Sequence, residues 1–86
     1  MQETLHIASL LVHARPELFA QVKANLRLLS DLELHQESPL GKLVVVIEAE
    51  NESQILKRID QISNLPGVLN AALVYHEILS PEGESQ

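Results

Sequence analysis

The sequence predicts an α+β domain in which a four-stranded antiparallel sheet carries two helices on one face. Three observations lead there. Apolar segments of strand type and helix type follow one another in the order β-α-β-β-α-β. A short turn, Ser38–Pro39–Leu40–Gly41, joins the two middle strands as a hairpin. The 86 residues suit a single domain, and a chain this short buries only ~60–65% of its unfolded surface.

Each element has its own signature. Leu5–His13 (LHIASLLVH) is rich in Leu, Ile and Val and reads as the first strand. Ala14–Arg15–Pro16 breaks it, and Pro16 with Glu17 suits the first turn of a helix. Leu18, Val22, Leu26 and Leu29 then recur at helical spacing, with polar residues between them. Leu32–Glu37 alternates as a half-buried second strand, and Lys42–Glu50 (KLVVVIEAE) is the clearest strand of the chain. Asn51 is a good helix cap, with Gln54 three residues on in a capping-box pattern. Ile55, Ile59 and Ile62 form the second helical stripe, which Leu65–Pro66–Gly67 ends. Val68–His76 (VLNAALVYH) is the last strand.

Two βα units joined by a hairpin give the ferredoxin-like split β-α-β arrangement, with strand order 4-1-3-2. A weak internal echo supports the two halves: Phe19/Ile55, Leu26/Ile62 and Leu29/Leu65 stand at equal separations. Right-handed crossovers place both helices on the same face. One domain over 1–79 is expected, followed by a flexible acidic tail over 80–86.

The opposite face of the sheet is then uncovered, yet its residues are not those of an ordinary solvated face. A one-sided sheet should alternate apolar-in and polar-out. With Leu43, Val45, Ile47 and Ala49 turned to the core, Lys42, Val44, Val46 and Glu48 turn outward. With Ala8, Leu10 and Val12 inside, Ile7, Ser9, Leu11 and His13 are outside. Unbroken alternation in the last strand puts Leu69, Ala71, Leu73 and Tyr75 inside, and Val68, Asn70, Ala72, Val74 and His76 outside. Ile7, Leu11, Val44, Val46, Ala72 and Val74 thus form an apolar centre across three strands, the kind of patch that marks an interface. The plain alternatives are self-association through the sheets, or a few ordinary surface valines.

Composition narrows the chemistry. Cysteine is absent, which excludes disulfides, thiolate metal sites and a cysteine nucleophile. Four histidines are present without H-x-H or H-x-x-x-H spacing. His13 and His76 end antiparallel strands and fall at opposite ends of the sheet, and His6 and His35 read as ordinary strand residues, so no metal site is expected. Ser9 lacks a G-x-S-x-G frame, and the isolated glycines make no phosphate loop. Base stacking on strand aromatics, as in RNA-recognition sheets, would have only Phe19 and Tyr75 to use, and a net charge of −6 opposes nucleic acid. The first basic residue is Arg15, so the N-terminal segment lacks the basic start of a secretory signal. The longest apolar runs are far short of the ~20 residues a membrane span needs. A cytoplasmic, non-enzymatic binding module is the expectation.

The strand segments resemble one family. Ser9–Val12 (SLLV), Gly41–Glu50 (GKLVVVIEAE), Gly67–Leu69 (GVL) and Leu73–His76 (LVYH) are similar to the NapD family over about Ile7 to His76. The resemblance implies a ferredoxin-like fold and a cytoplasmic chaperone for the periplasmic nitrate reductase. Such a chaperone holds the twin-arginine signal peptide of the catalytic subunit, as a helix on the sheet, until the cofactor is loaded. It implies no cofactor for the chaperone itself. The residues expected to meet the peptide are Ile7, Ser9, Leu11, Val44, Val46, Glu48, Glu50, Ala72, Val74 and His76. Tracing the strand directions gathers Glu3, Asp31, Glu33, Glu48, Glu50, Glu52 and Glu77 at one end of the sheet, against Arg27. Arg15 and Lys42 balance Glu17 and Glu37 at the other. An acidic rim beside an apolar face suits a ligand with a basic head and an apolar body. The competing reading is a small-molecule-sensing dimeric regulatory domain of the Lrp/AsnC or ACT type, which pairs through similar sheets.

Overall fold

The computed structural model describes residues 4–79; the tail expected over 80–86, and Glu3, lie outside them. Four strands, β1 (Leu5–Ala14), β2 (Leu32–Ser38), β3 (Lys42–Ala49) and β4 (Val68–Leu79), are interleaved with helices α1 (Phe19–Arg27) and α2 (Glu52–Ser63). Neighbouring strands are antiparallel in the order β2-β3-β1-β4, which is the expected 4-1-3-2 order read from the other edge.

Alternation in the two central strands decides what is buried. Ala8, Leu10, Val12 and Ala14 of β1 and Leu43, Val45 and Ile47 of β3 meet Val22 and Leu26 of α1 and Ile55 and Ile62 of α2 in one fully buried core. Both helices therefore cover the same face. Burying one side chain of this size is worth ~1.5–3 kcal/mol relative to leaving it in water.

The ends of the elements follow local chemistry. Pro16 opens a 3-10 turn, Pro16–Leu18, before α1 begins at Phe19, so the α-helix starts about one turn later than the expected start at Pro16. Asn51 caps α2 by accepting the Gln54 backbone N–H at 2.9 Å. The Gln54 side chain reaches back to the backbone N–H of Glu50 rather than that of Asn51, a one-residue variation on the capping box. Gly41 turns the β2–β3 hairpin at φ 94°, and a Cβ there would fall 2.3 Å from the Ala14 carbonyl oxygen. That close approach is cemented by the Ala14 N–H donating to the Gly41 carbonyl at 2.7 Å.

In β4 the structure departs from the expected alternation. Its pairing with β1 slips twice, once between Ser9 and Leu10 and once between His13 and Ala14. Each slip leaves one β4 residue, Val74 and Leu69, without a partner, and each extra residue reverses the facing of the residues beyond it. Tyr75 stands opposite Ser9 on the uncovered face, not in the core. His76 stands opposite buried Ala8, on the helix side, and not among the outward residues. Val68 likewise pairs with Ala14 and packs on the core, whereas Leu69 is exposed. Ala71 and Leu73 keep the helix side, opposite Val12 and Leu10, but only Ala71 packs on the core; Leu73, expected inside, is exposed at the sheet edge. A similar slip at His35 lets β2 return Gln36 to the uncovered face opposite Val44.

Candidate functional site: the uncovered face of the sheet

Strand register arranges the uncovered face in rows. Glu48, Ile7 and Glu77 make the first, then Glu33, Val46, Ser9 and Tyr75. Gln36, Val44, Leu11 and Ala72 make the third, and Ser38, Lys42, His13 and Asn70 the fourth. Rows two residues apart are separated by ~6.8 Å, so the face measures ~20 Å from first to last. A helix of ~13 residues has the same length.

Chemistry changes along this axis. Glu33, Glu48 and Glu77 put carboxylates from three strands at one end. Val46, Val44, Leu11 and Ala72 make the middle apolar, and Lys42 with His13 closes the other end. Tyr75, carried outward by the irregularity at Val74, extends the apolar middle onto β4. Its hydroxyl donates to Glu77 Oε1 at 3.2 Å. That bond, followed by the negative charge of Glu77, raises the phenol above its ordinary value.

Of the residues expected to meet a ligand, Ile7, Ser9, Leu11, Val44, Val46, Glu48 and Ala72 are brought together on this face. Glu50 follows β3 at the acidic end, its backbone carbonyl accepting from Thr4 Oγ1 and its N–H donating to Gln54. Val74 occupies the register slip and is 60% exposed. His76 is on the other side of the sheet. Tyr75 joins the site although unbroken alternation places it inside; only the slip reveals it, and the same slip sets Glu77, expected at the acidic rim, on this face opposite Ile7.

Elsewhere two of the cations are paired locally. Lys23 Nζ bridges both oxygens of Glu37 at 3.1 Å and lies over the Phe19 ring. Arg15 approaches Glu17 at 3.6 Å. An open recess beside Arg27, Leu32, Glu33, Leu34 and His35 lies at the β2 edge. Among the described residues, no group of three or more His, Cys, Asp or Glu side chains is placed to hold a metal ion, and no helix is long and apolar enough to cross a membrane.

Comparison with known proteins agrees with this architecture. The family model described as NapD protein matches residues 5–80. The chain is 32% identical over 78 residues to the Chaperone NapD of Escherichia coli K12, covering 90% of each protein. It is 35% identical to the Chaperone NapD of Paracoccus pantotrophus, covering 87% of this chain and 66% of that one. The solution structure of the E. coli Tat proofreading chaperone NapD superposes with a TM-score of 0.78, at 31% identity, over 95% of this chain and 86% of that one. A transcriptional regulatory protein of the AsnC family from Pyrococcus furiosus shares the fold alone, at TM-score 0.63 and 12% identity over 94% of this chain and 53% of that one. With the family model spanning the whole sheet and both helices, the chain belongs to the NapD family.

Proposed function

We propose that this chain is a non-enzymatic cytoplasmic chaperone. It binds the twin-arginine signal peptide of the periplasmic nitrate reductase catalytic subunit on the uncovered face of its sheet, and restrains export until the cofactor is loaded. The observation that carries the reading is the polarity of that face: carboxylates at one end, an apolar middle, and a length matching a short helix. A signal peptide has a basic head and an apolar body, which is the complementary pattern. The solved E. coli relative is a Tat proofreading chaperone. No cofactor enters the scheme; the work is recognition.

Calorimetry with the host's nitrate reductase signal peptide tests the reading. Binding by the wild-type chain and its loss in Val46→Asp, with the fold intact, support it. Absence of binding by the wild-type chain refutes it. The regulatory alternative rests only on a shared fold. Obligate dimerisation with binding of a free amino acid, and indifference to the peptide, would favour that alternative.

A further inference from the structure

The helix side of the sheet holds a constellation that the signal-peptide reading does not use. His6 near the start of β1 and His76 near the end of β4 come to one end of the sheet because the strands are antiparallel. His76 is turned toward His6 by the slip at Val74. His6 Nδ1 and His76 Nε2 are 3.0 Å apart, the rings are tilted by 39°, and both residues are partly buried.

We propose that His6 and His76 chelate a divalent transition-metal ion of tetragonal preference, with Cu²⁺ held most tightly. Imidazole nitrogens bind such ions at about 2.0–2.1 Å, so two of them on adjacent corners of a square are ~2.9 Å apart, against ~3.4 Å on a tetrahedron. The observed 3.0 Å is that of a hydrogen bond between the rings, so it shows that both nitrogens can reach one ion, and the preference for a tetragonal ion rests on the ligand chemistry. Square or tetragonal nitrogen sites select Cu²⁺ and Ni²⁺, and divalent affinities peak at Cu²⁺.

The protonation bookkeeping is simple. A hydrogen bond between the two facing nitrogens requires one of them to carry the hydrogen. Coordination needs a lone pair on both, so that ring moves its proton to its outer nitrogen and pivots, and no net proton is released from two neutral rings. Two protein ligands leave the remaining corners to water, which makes the ion exchangeable and not part of the fold. The site lies across the sheet from the uncovered face, so it stands or falls independently of the signal-peptide reading.

The test titrates the full chain with Cu²⁺ alone near neutral pH, following calorimetry and the paramagnetic resonance spectrum. One ion per chain with a tetragonal, nitrogen-coupled spectrum is expected. His6→Gln and His76→Gln should each weaken binding at least tenfold, while His13→Gln and His35→Gln leave it unchanged. Undiminished binding in His76→Gln would place the ion on His6 and another group and overturn the proposal, as would no binding by the wild-type chain. Should a variant melt without metal, wild-type NMR decides: Cu²⁺ must broaden the His6 and His76 ring signals before those of His13 and His35, and the reverse order overturns it.

Discussion

The two faces of this sheet are built from interleaved residues of the same two central strands, yet they meet different surroundings. Along β3, Leu43, Val45 and Ile47 are fully buried, while Val44 and Val46 between them are only partly buried on the other face. The side chains are of one chemical kind. What separates them is coverage: α1 and α2 fill one side, and no described element covers the other. An apolar residue under a helix contributes to folding; the same residue on the uncovered face is available for a partner.

Substitution at adjacent positions breaks the comparison most sharply. Ile47→Asp puts an unpaired charge into the closed core and is expected to abolish folding, as read by circular dichroism. Leu10→Ala, a gentler lesion beside it, should cost ~2–5 kcal/mol in denaturant melts. Val46→Asp, one residue from Ile47, should melt close to wild type. A collapse of Val46→Asp would show that the two faces are not energetically distinct.

Binding is where Val46→Asp should register. Burying a Val or Leu is worth ~1.5–3 kcal/mol, so Val46→Asp or Leu11→Asp should weaken the signal peptide well over tenfold. Wild-type affinity in both would move the peptide off this face. Charge reversal at the acidic end, Glu48→Lys with Glu77→Lys, should act less strongly. Exposed ion pairs yield only ~0.2–1 kcal/mol each, so a slower and less salt-sensitive association rate is the expected signature in stopped-flow. Reversal at Glu17 and Glu37 should do little; equal harm there would reverse the proposed orientation.

The smallest effect sharpens the placement of Tyr75. It is the sole tyrosine, so ultraviolet absorbance of the phenolate reports on it alone. Its midpoint should lie above the ordinary tyrosine range, and Glu77→Gln should bring it down, since the hydrogen bond and the charge both come from Glu77. A midpoint indifferent to Glu77→Gln would mean that the two do not meet on the uncovered face.

Legibility differs by region for a physical reason. In β1 and β3 the facing of Ile7, Leu11, Val44, Val46 and Glu48 could be read from alternation, because both strands pair with each other without a slip. The Asn51 cap and the turn at Gly41 were equally readable, being set by residues a few positions apart. In β4 the same rule misplaced Tyr75 and His76. Between the two slips the side of the sheet was read correctly for Ala71 and Leu73, although Leu73 is exposed there and not in the core; beyond either slip, at Val68, Leu69, Tyr75 and His76, it was not.

By itself, then, the sequence determined the order of elements, the strand order, the core stripe of each helix and the apolar character of the uncovered face. These rest on periodicities of 2 and 3.6 residues and on capping interactions, which act over one or two turns of chain. Only the tertiary structure decided where β4 slips against β1, and with that which of Tyr75 and His76 lies on the uncovered face and which meets His6. A slip is settled by how a twisted edge strand fits its neighbour some seventy positions away, a condition no local pattern of Val68–Leu79 encodes.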